Sequence, residues 1–162
     1  MRLTILILAV AALAAGCSED KSPRAAIRPS EPTPVAASVP HGLDAARVAR
    51  GAEIYKAHCA TCHGDKAQGA PNWAKKGPDG KFPPPPLDAQ GHAWHHPMSW
   101  LVMTVKEGTV KKGGGMPAWA GVLKDEDIEA VFAYVQSLWP QEIYTSWKFM
   151  DDKARAGAKH HP

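Results

Sequence analysis

Apolar positions along this chain fall into one nearly continuous run and three helical stripes. Residues 3–15 form a nearly unbroken apolar run that ends in small residues before Cys17. Further on, Val48, Ala52 and Tyr55 are spaced by four and three, with Ala45 and Ala49 beside them. That spacing predicts an amphipathic helix leading into a cysteine pair, with Asp44 as its candidate N-cap. Trp100, Leu101, Met103, Thr104 and Val105 supply apolar bulk to a short helix over 99–107, closed by Gly108. A methionine on such a stripe is core material, which is the reading for Met103. Ile128, Val131, Phe132, Val135 and Leu138 mark the buried stripe of the last clear helix. It begins near Asp125, whose side chain can cap it, and Glu126, Asp127 and Glu129 favour the positive end of its dipole. Pro140 stops it soon after Trp139. No stretch alternates long enough for a convincing strand and no internal repeat is visible, so the expected fold class is all-α.

Between these segments the chain is rich in turn formers. Residues 64–86 contain four glycines and six prolines, including the run Pro83-Pro84-Pro85-Pro86, and must be loop. A loop this long inside a compact domain usually has a reason, and wrapping a flat cofactor is one. Residues 18–42 carry five prolines among Ser, Ala, Glu and Lys, with few apolar residues for a core. They read as an extended, solvated tether. The domain itself is expected over 43–147, followed by a charged, flexible tail over 148–162, in which His160 and His161 are solvated.

With 162 residues, 44% of them hydrophobic, the chain suits one small globular domain with tails. Its first 16 residues read as a secretory signal, since one basic residue precedes an apolar run too short to span a bilayer comfortably. Leu13-Ala14-Ala15-Gly16-Cys17 resembles the lipobox of bacterial lipoproteins, although Ala14 stands where that family more often has Leu. The resemblance implies that Cys17 receives lipid and becomes the mature N-terminus, and several acyl chains would hold the protein at a membrane. Ser18 rather than Asp follows, which leaves inner and outer membrane equally open. A formal net charge of +3, part of it from Arg2 in the leader, is too weak to argue for nucleic acid.

Three cysteines are present, Cys17, Cys59 and Cys62. Cys59-Ala60-Thr61-Cys62-His63 has the C-x-x-C-H spacing of covalent haem attachment. One helical turn puts both thiols on one side, within reach of the two vinyl groups along one haem edge, and the next residue projects its imidazole onto the iron. The competing readings are a redox dithiol, which needs no adjacent histidine, and zinc, which would want a second ligand pair that the sequence lacks. A second axial ligand would be a thioether or imidazole. Met116 lies in the glycine-rich loop Gly113-Gly114-Gly115-Met116-Pro117, with no helical stripe to explain it. Met98, Met103, His92, His95 and His96 are the alternatives.

Over roughly residues 43–140 the chain resembles the class I cytochromes c. The resemblance rests on Gly51 and Tyr55, Cys59 to Gly64, Met116-Pro117, and Ala133-Tyr134-Val135-Gln136-Ser137-Leu138. It implies a small cytochrome c fold of about three to five helices around one covalent haem c, with long Pro/Gly-rich loops. It implies His63 as proximal and Met116 as distal iron ligand. It further implies close crossing of the first and last helices, with Gly51 facing Phe132 or Tyr134. A proline carbonyl that accepts a hydrogen bond from the proximal imidazole looks like Pro86, with Pro71 as rival; such a bond fixes the tautomer and tunes the iron.

Gly91-His92-Ala93-Trp94-His95-His96 departs from the general family pattern. The preferred reading packs Trp94 on the haem and lets one or two of the histidines bond its propionates. The alternative is copper binding or oxidation through His92, His95 and His96. A haem with both axial positions filled offers no open site, and no nucleophile constellation is present. The expected function is therefore single-electron transfer in the bacterial periplasm, not catalysis, with weakly docked redox partners such as an oxidase, reductase or dehydrogenase.

Overall fold

The computed structural model describes residues 39–158. The expected signal 1–16, the lipid site Cys17, the tether up to residue 38, and His160 and His161 lie outside the described residues. Among the described residues five α-helices run in the order α1 (Ala45–His58), α2 (Ala60–His63), α3 (Met98–Glu107), α4 (Asp125–Ser137) and α5 (Gln141–Ala158). Three single 3-10 turns, at Pro40–Gly42, Ala93–His95 and Val110–Lys112, interrupt the loops. Among the described residues the one β feature is an isolated parallel bridge between Phe82 and Gly114. The fold is all-α, as the periodicities indicated.

The first helix starts where its sequence says it should. Asp44 is extended, and its carboxylate accepts the Arg47 backbone N–H at 2.6 Å, satisfying one of the donors a helix start leaves unpaired. The most extensive helix contact is α1 against α4. Gly51 makes it possible, because a Cβ there would overlap the Ala130 carbonyl oxygen and sit 3.1 Å from the Val131 nitrogen. The partner of Gly51 is thus α4 backbone rather than the Phe132 or Tyr134 ring expected. Tyr134 instead tilts against Tyr55, ring centroids 5.2 Å apart. Arg47 pairs with Glu129 and Arg50 with Asp127 across the same crossing.

Three local expectations are corrected. The α4 start is secured by Asp127, not Asp125: its carboxylate accepts the Lys124 backbone N–H at 3.1 Å, while Asp125 turns to the Lys106 ammonium at 2.7 Å. A carboxylate at the third helical position reaches back over the turn, which one at the first position cannot do. On α4 the stripe is buried from Ile128 to Val135, but Leu138, past the last turn, is exposed. Met103 is 41% exposed rather than core, since the buried face of α3 is carried by Met98, Leu101 and Val102.

The largest difference lies at the C-terminal end, where the segment after Trp147 continues α5 to Ala158 instead of fraying. Ile143, Tyr144, Trp147 and Met150 give α5 an apolar stripe against the core. Trp147 is buried and donates its indole N–H to the His96 carbonyl at 3.0 Å. Asp151, also buried, accepts the Met98 backbone N–H at 2.7 Å and pairs with Arg155 at 2.7 Å. At the other end of the described chain, His41 stacks on Tyr144 at 4.3 Å and donates Nε2–H to the Trp139 carbonyl at 3.0 Å. Its Nδ1 lies 2.9 Å from Gln141 Oε1.

Candidate functional site

Cys59 ends α1, and its backbone N–H still bonds the Tyr55 carbonyl. The chain then turns straight into α2, so that Cys62 and His63 follow within one turn. Both thiols are free; Cys59 is partly buried and Cys62 exposed. Burial pushes the Cys59 thiol up to about 11, with a smaller contribution from Cys62 beside it. Tyr55 supports the motif from beneath. Its hydroxyl donates to the Gly64 carbonyl at 2.7 Å, and its phenol, 1% exposed, is pushed well above its ordinary value by burial.

The imidazole of His63 is the chemical centre of the arrangement. Its Nδ1 lies 2.8 Å from the Pro85 carbonyl oxygen. A carbonyl only accepts, so Nδ1 carries the proton and Nε2 keeps its lone pair, the form in which imidazole binds a metal. Burial lowers the His63 pKa, against the opposing pull of the Pro85 carbonyl, and so favours that neutral ring. The acceptor is Pro85, not Pro86 or Pro71. In a run of four prolines nothing in the sequence fixes which carbonyl faces the ring. Pro86 is buried one residue further on, with its own carbonyl against Gly91.

Met116 sits in the loop between α3 and α4, partly buried. Its backbone is held on both sides by Thr109, whose N–H donates to the Met116 carbonyl at 2.8 Å and whose hydroxyl accepts the Met116 N–H at 3.1 Å. The loop folds back on the end of α3 at Gly108, where φ is +69° and a Cβ would lie 2.6 Å from the Met116 carbonyl oxygen. Three residues on, Trp119 meets His58 edge to face at 5.3 Å, joining the methionine loop to the last turn of α1 just before Cys59. Thr109 and Trp119 carried no signal in the sequence, because their roles depend on which turn they land beside.

Within the histidine segment His92 and His96 meet edge to face at 5.8 Å, and each of the three rings also packs on a tryptophan. His92 stacks on Trp73 at 5.4 Å, and His96 stacks on Trp100 at 3.8 Å. His95 leans on Trp94 at 3.7 Å. Burial, then the neighbouring His92 and His95, lower the His96 pKa. Among the described residues no three His, Cys, Asp or Glu side chains are placed to hold a metal ion. The three histidines of the copper alternative are thus not placed together as one ligand set among the described residues. Trp94 is half-buried against the core and donates its indole N–H to the Gly91 carbonyl at 3.1 Å.

The donor set fits a covalently attached haem. Two free thiols one turn apart adjoin an imidazole whose outer nitrogen is already engaged and whose inner nitrogen keeps its lone pair. A thioether donor is held in a pinned loop elsewhere in the same domain.

Comparison with known proteins agrees with this chemistry. The family described as cytochrome C oxidase, cbb3-type, subunit III matches residues 46–135. The chain is 40% identical over 95 residues to the cbb3-type cytochrome c oxidase subunit CcoP of Azospirillum sp. (strain B510), covering 59% of this chain and 30% of that protein. It is 33% identical over 95 residues to CcoP of Azospirillum brasilense, covering 59% and 30%. It is 34% identical over 97 residues to subunit FixP of Bradyrhizobium sp. (strain ORS 278), covering 60% and 28%. The chain thus spans under a third of the length of these curated relatives. No solved structure matches it. The matched region ends at residue 135, before α5.

Proposed function

The chain belongs to the family of cytochrome c oxidase, cbb3-type, subunit III, and on that premise we propose that it is a single-electron carrier with one covalent haem c. Cys59 and Cys62 would hold the haem by thioether bonds, with His63 as proximal and Met116 as distal ligand, and Trp94 packed against the cofactor. When bound, the haem supplies a ferrous–ferric couple of one electron. The protein's own part is to hold and to exclude. Pro85 keeps the proton on His63 Nδ1, Thr109 holds the Met116 backbone, and the 64–86 loop covers the imidazole on its Pro85 side.

The observation that carries this reading is the His63 hydrogen bond beside two free thiols within one turn. The relatives are named as subunits of a cbb3-type cytochrome c oxidase, which supports an oxidase as the redox partner of this chain too. We place the carrier on the periplasmic side of a bacterial membrane, tethered by lipid at Cys17 through the Pro-rich segment 17–42. Among the described residues no helix is long and apolar enough to cross a membrane.

The test is a visible and near-infrared spectrum of the purified mature protein, oxidised and reduced, beside Met116→Ala. One haem that stays with the chain after denaturation, and a methionine-to-iron charge-transfer band lost in the variant, are expected. Haem that acid acetone extracts would overturn covalent attachment. An unchanged variant spectrum would overturn Met116 as ligand.

A further inference from the structure

Pro86, whose nitrogen is bonded to the Pro85 carbonyl carbon, is pressed by two glycines. On one side is Gly69, whose φ is +67°, and where a Cβ would lie 2.5 Å from the Pro85 carbonyl carbon and 2.8 Å from Pro86 Cα. On the other is Gly91, where a Cβ would overlap the Pro86 carbonyl oxygen and sit 2.8 Å from its carbon. Neither position has room for a side chain. Each glycine is in turn tied to another part of the structure. Gly69 donates its N–H to the His63 carbonyl at 2.7 Å, and Gly91 accepts the Trp94 indole N–H at 3.1 Å. Ala70, next to Gly69, donates to the Pro84 carbonyl at 2.8 Å, and Leu87 donates to the Ala67 carbonyl at 2.8 Å.

Prolines have no N–H, so a run of four cannot be placed by its own backbone donors. Its position must come from what presses on it. We propose that Gly69 and Gly91, the latter braced by Trp94, are positioning residues: Gly69 presses on the Pro85–Pro86 peptide and Gly91 on the carbonyl end of Pro86, so that together they hold Pro86 and keep the Pro85 carbonyl on His63 Nδ1, and they thereby set the reduction potential of the haem. The inference rests on the haem reading above. A carbonyl held firmly on Nδ1–H makes the imidazole a more basic iron ligand, which favours ferric iron and lowers the potential. Loosening the clamp withdraws that donation, and the potential rises.

Gly91→Ala is the sharper probe, since Gly91 needs no left-handed backbone and a methyl there acts by contact alone. Trp94→Phe is the milder one, keeping an aromatic ring while removing the N–H that braces Gly91. Gly121→Ala serves as control, because nothing lies within 4 Å of a Cβ there. The measurements are the reduction potential of each purified holoprotein, and the hydrogen exchange rate of His63 Nδ1–H by NMR in the reduced state. Gly91→Ala and Trp94→Phe are expected to raise the potential and to speed that exchange on the order of tenfold, with Gly121→Ala unchanged in both. A potential that stays level or falls while the haem remains bound overturns the clamp. If Gly91→Ala does not accumulate as a folded protein, the His63 Nδ1–H exchange rate in Trp94→Phe decides, because Trp94 is itself placed against the haem and an unchanged exchange rate there overturns the clamp. Absence of covalent haem from the wild-type protein defeats the underlying reading instead, and shows in the spectrum before any potential is measured.

Discussion

Asp151 of α5 caps α3 from outside it, accepting the backbone N–H of Met98, the first residue of α3, at 2.7 Å across 53 positions of chain. Pro97, which stands at the N-cap itself, offers no side-chain acceptor. The cap is therefore supplied by another helix, and burial of Asp151 makes it worth more than an exposed one.

Replacing Asp151 with Ala leaves that N–H unpaired in a buried setting and releases Arg155. A loss of about 2 kcal/mol is expected, read as a lower urea midpoint with an unchanged slope. Stability within a few tenths of wild type would show that solvent reaches Met98 N–H and replaces the carboxylate.

Gly51→Ala forces a methyl into the Ala130 carbonyl. Backbone cannot rotate aside as a side chain can, so α1 and α4 must separate. The expected cost is about 3 kcal/mol, at the upper end for overpacking, seen in chemical denaturation of the holoprotein. Gly121→Ala, in open space, gives the comparison.

Tyr55→Phe removes one hydroxyl and keeps the ring. The Gly64 carbonyl then keeps only the Ala67 N–H at 3.0 Å, beneath a residue 1% exposed. We expect about 1–2 kcal/mol of destabilisation with the absorption spectrum of the haem retained. A changed axial spectrum would mean that Tyr55 holds the ligand turn in place as well as stabilising it.

Acid should act on Asp127. The Arg50 guanidinium, then the Lys124 backbone N–H, hold its carboxyl below the ordinary value of 3.8. A carboxyl depressed in the folded state contributes stability above its unfolded pKa and loses it as pH falls through the folded one. Wild type should thus exceed Asp127→Asn in melting temperature at neutral pH, with the gap closing below pH 3.8. Added salt should narrow the gap at neutral pH too, because the Arg50 side of the pair is exposed. A gap that persists at low pH would assign the effect to something other than ionisation.

The turn that carries Cys59, Cys62 and His63 and about half of the helix boundaries are legible in the sequence. Asp44, the α4 stripe from Ile128 to Val135, and the Cys59 to His63 motif are local patterns, and local patterns are what sequence periodicity reports. The acceptor for His63 was misplaced by one residue because consecutive prolines carry no register. Its position follows from Gly69 and Gly91, which meet the run only in three dimensions. The α5 helix was legible in part. Ile143, Tyr144, Trp147 and Met150 keep helical spacing, yet Pro140 and the charge of residues 151–155 masked it. What secures α5 is non-local, through His96, Met98 and His41.

Polypeptide leading into the domain must pass His41 before it reaches α1. That ring is bonded to the Trp139 carbonyl, lies beside the Gln141 amide and is stacked on Tyr144, so a pull on the chain from its N-terminal side is delivered first to the corner between α4 and α5. The four residues of that corner form a cleat. Tension would have to slip this cleat before it could lengthen the segment to Asp44, unwind α1 or disturb the cysteines at its far end. A domain held at this corner would take such a pull there while the spacing between Cys59, Cys62 and His63 stays fixed.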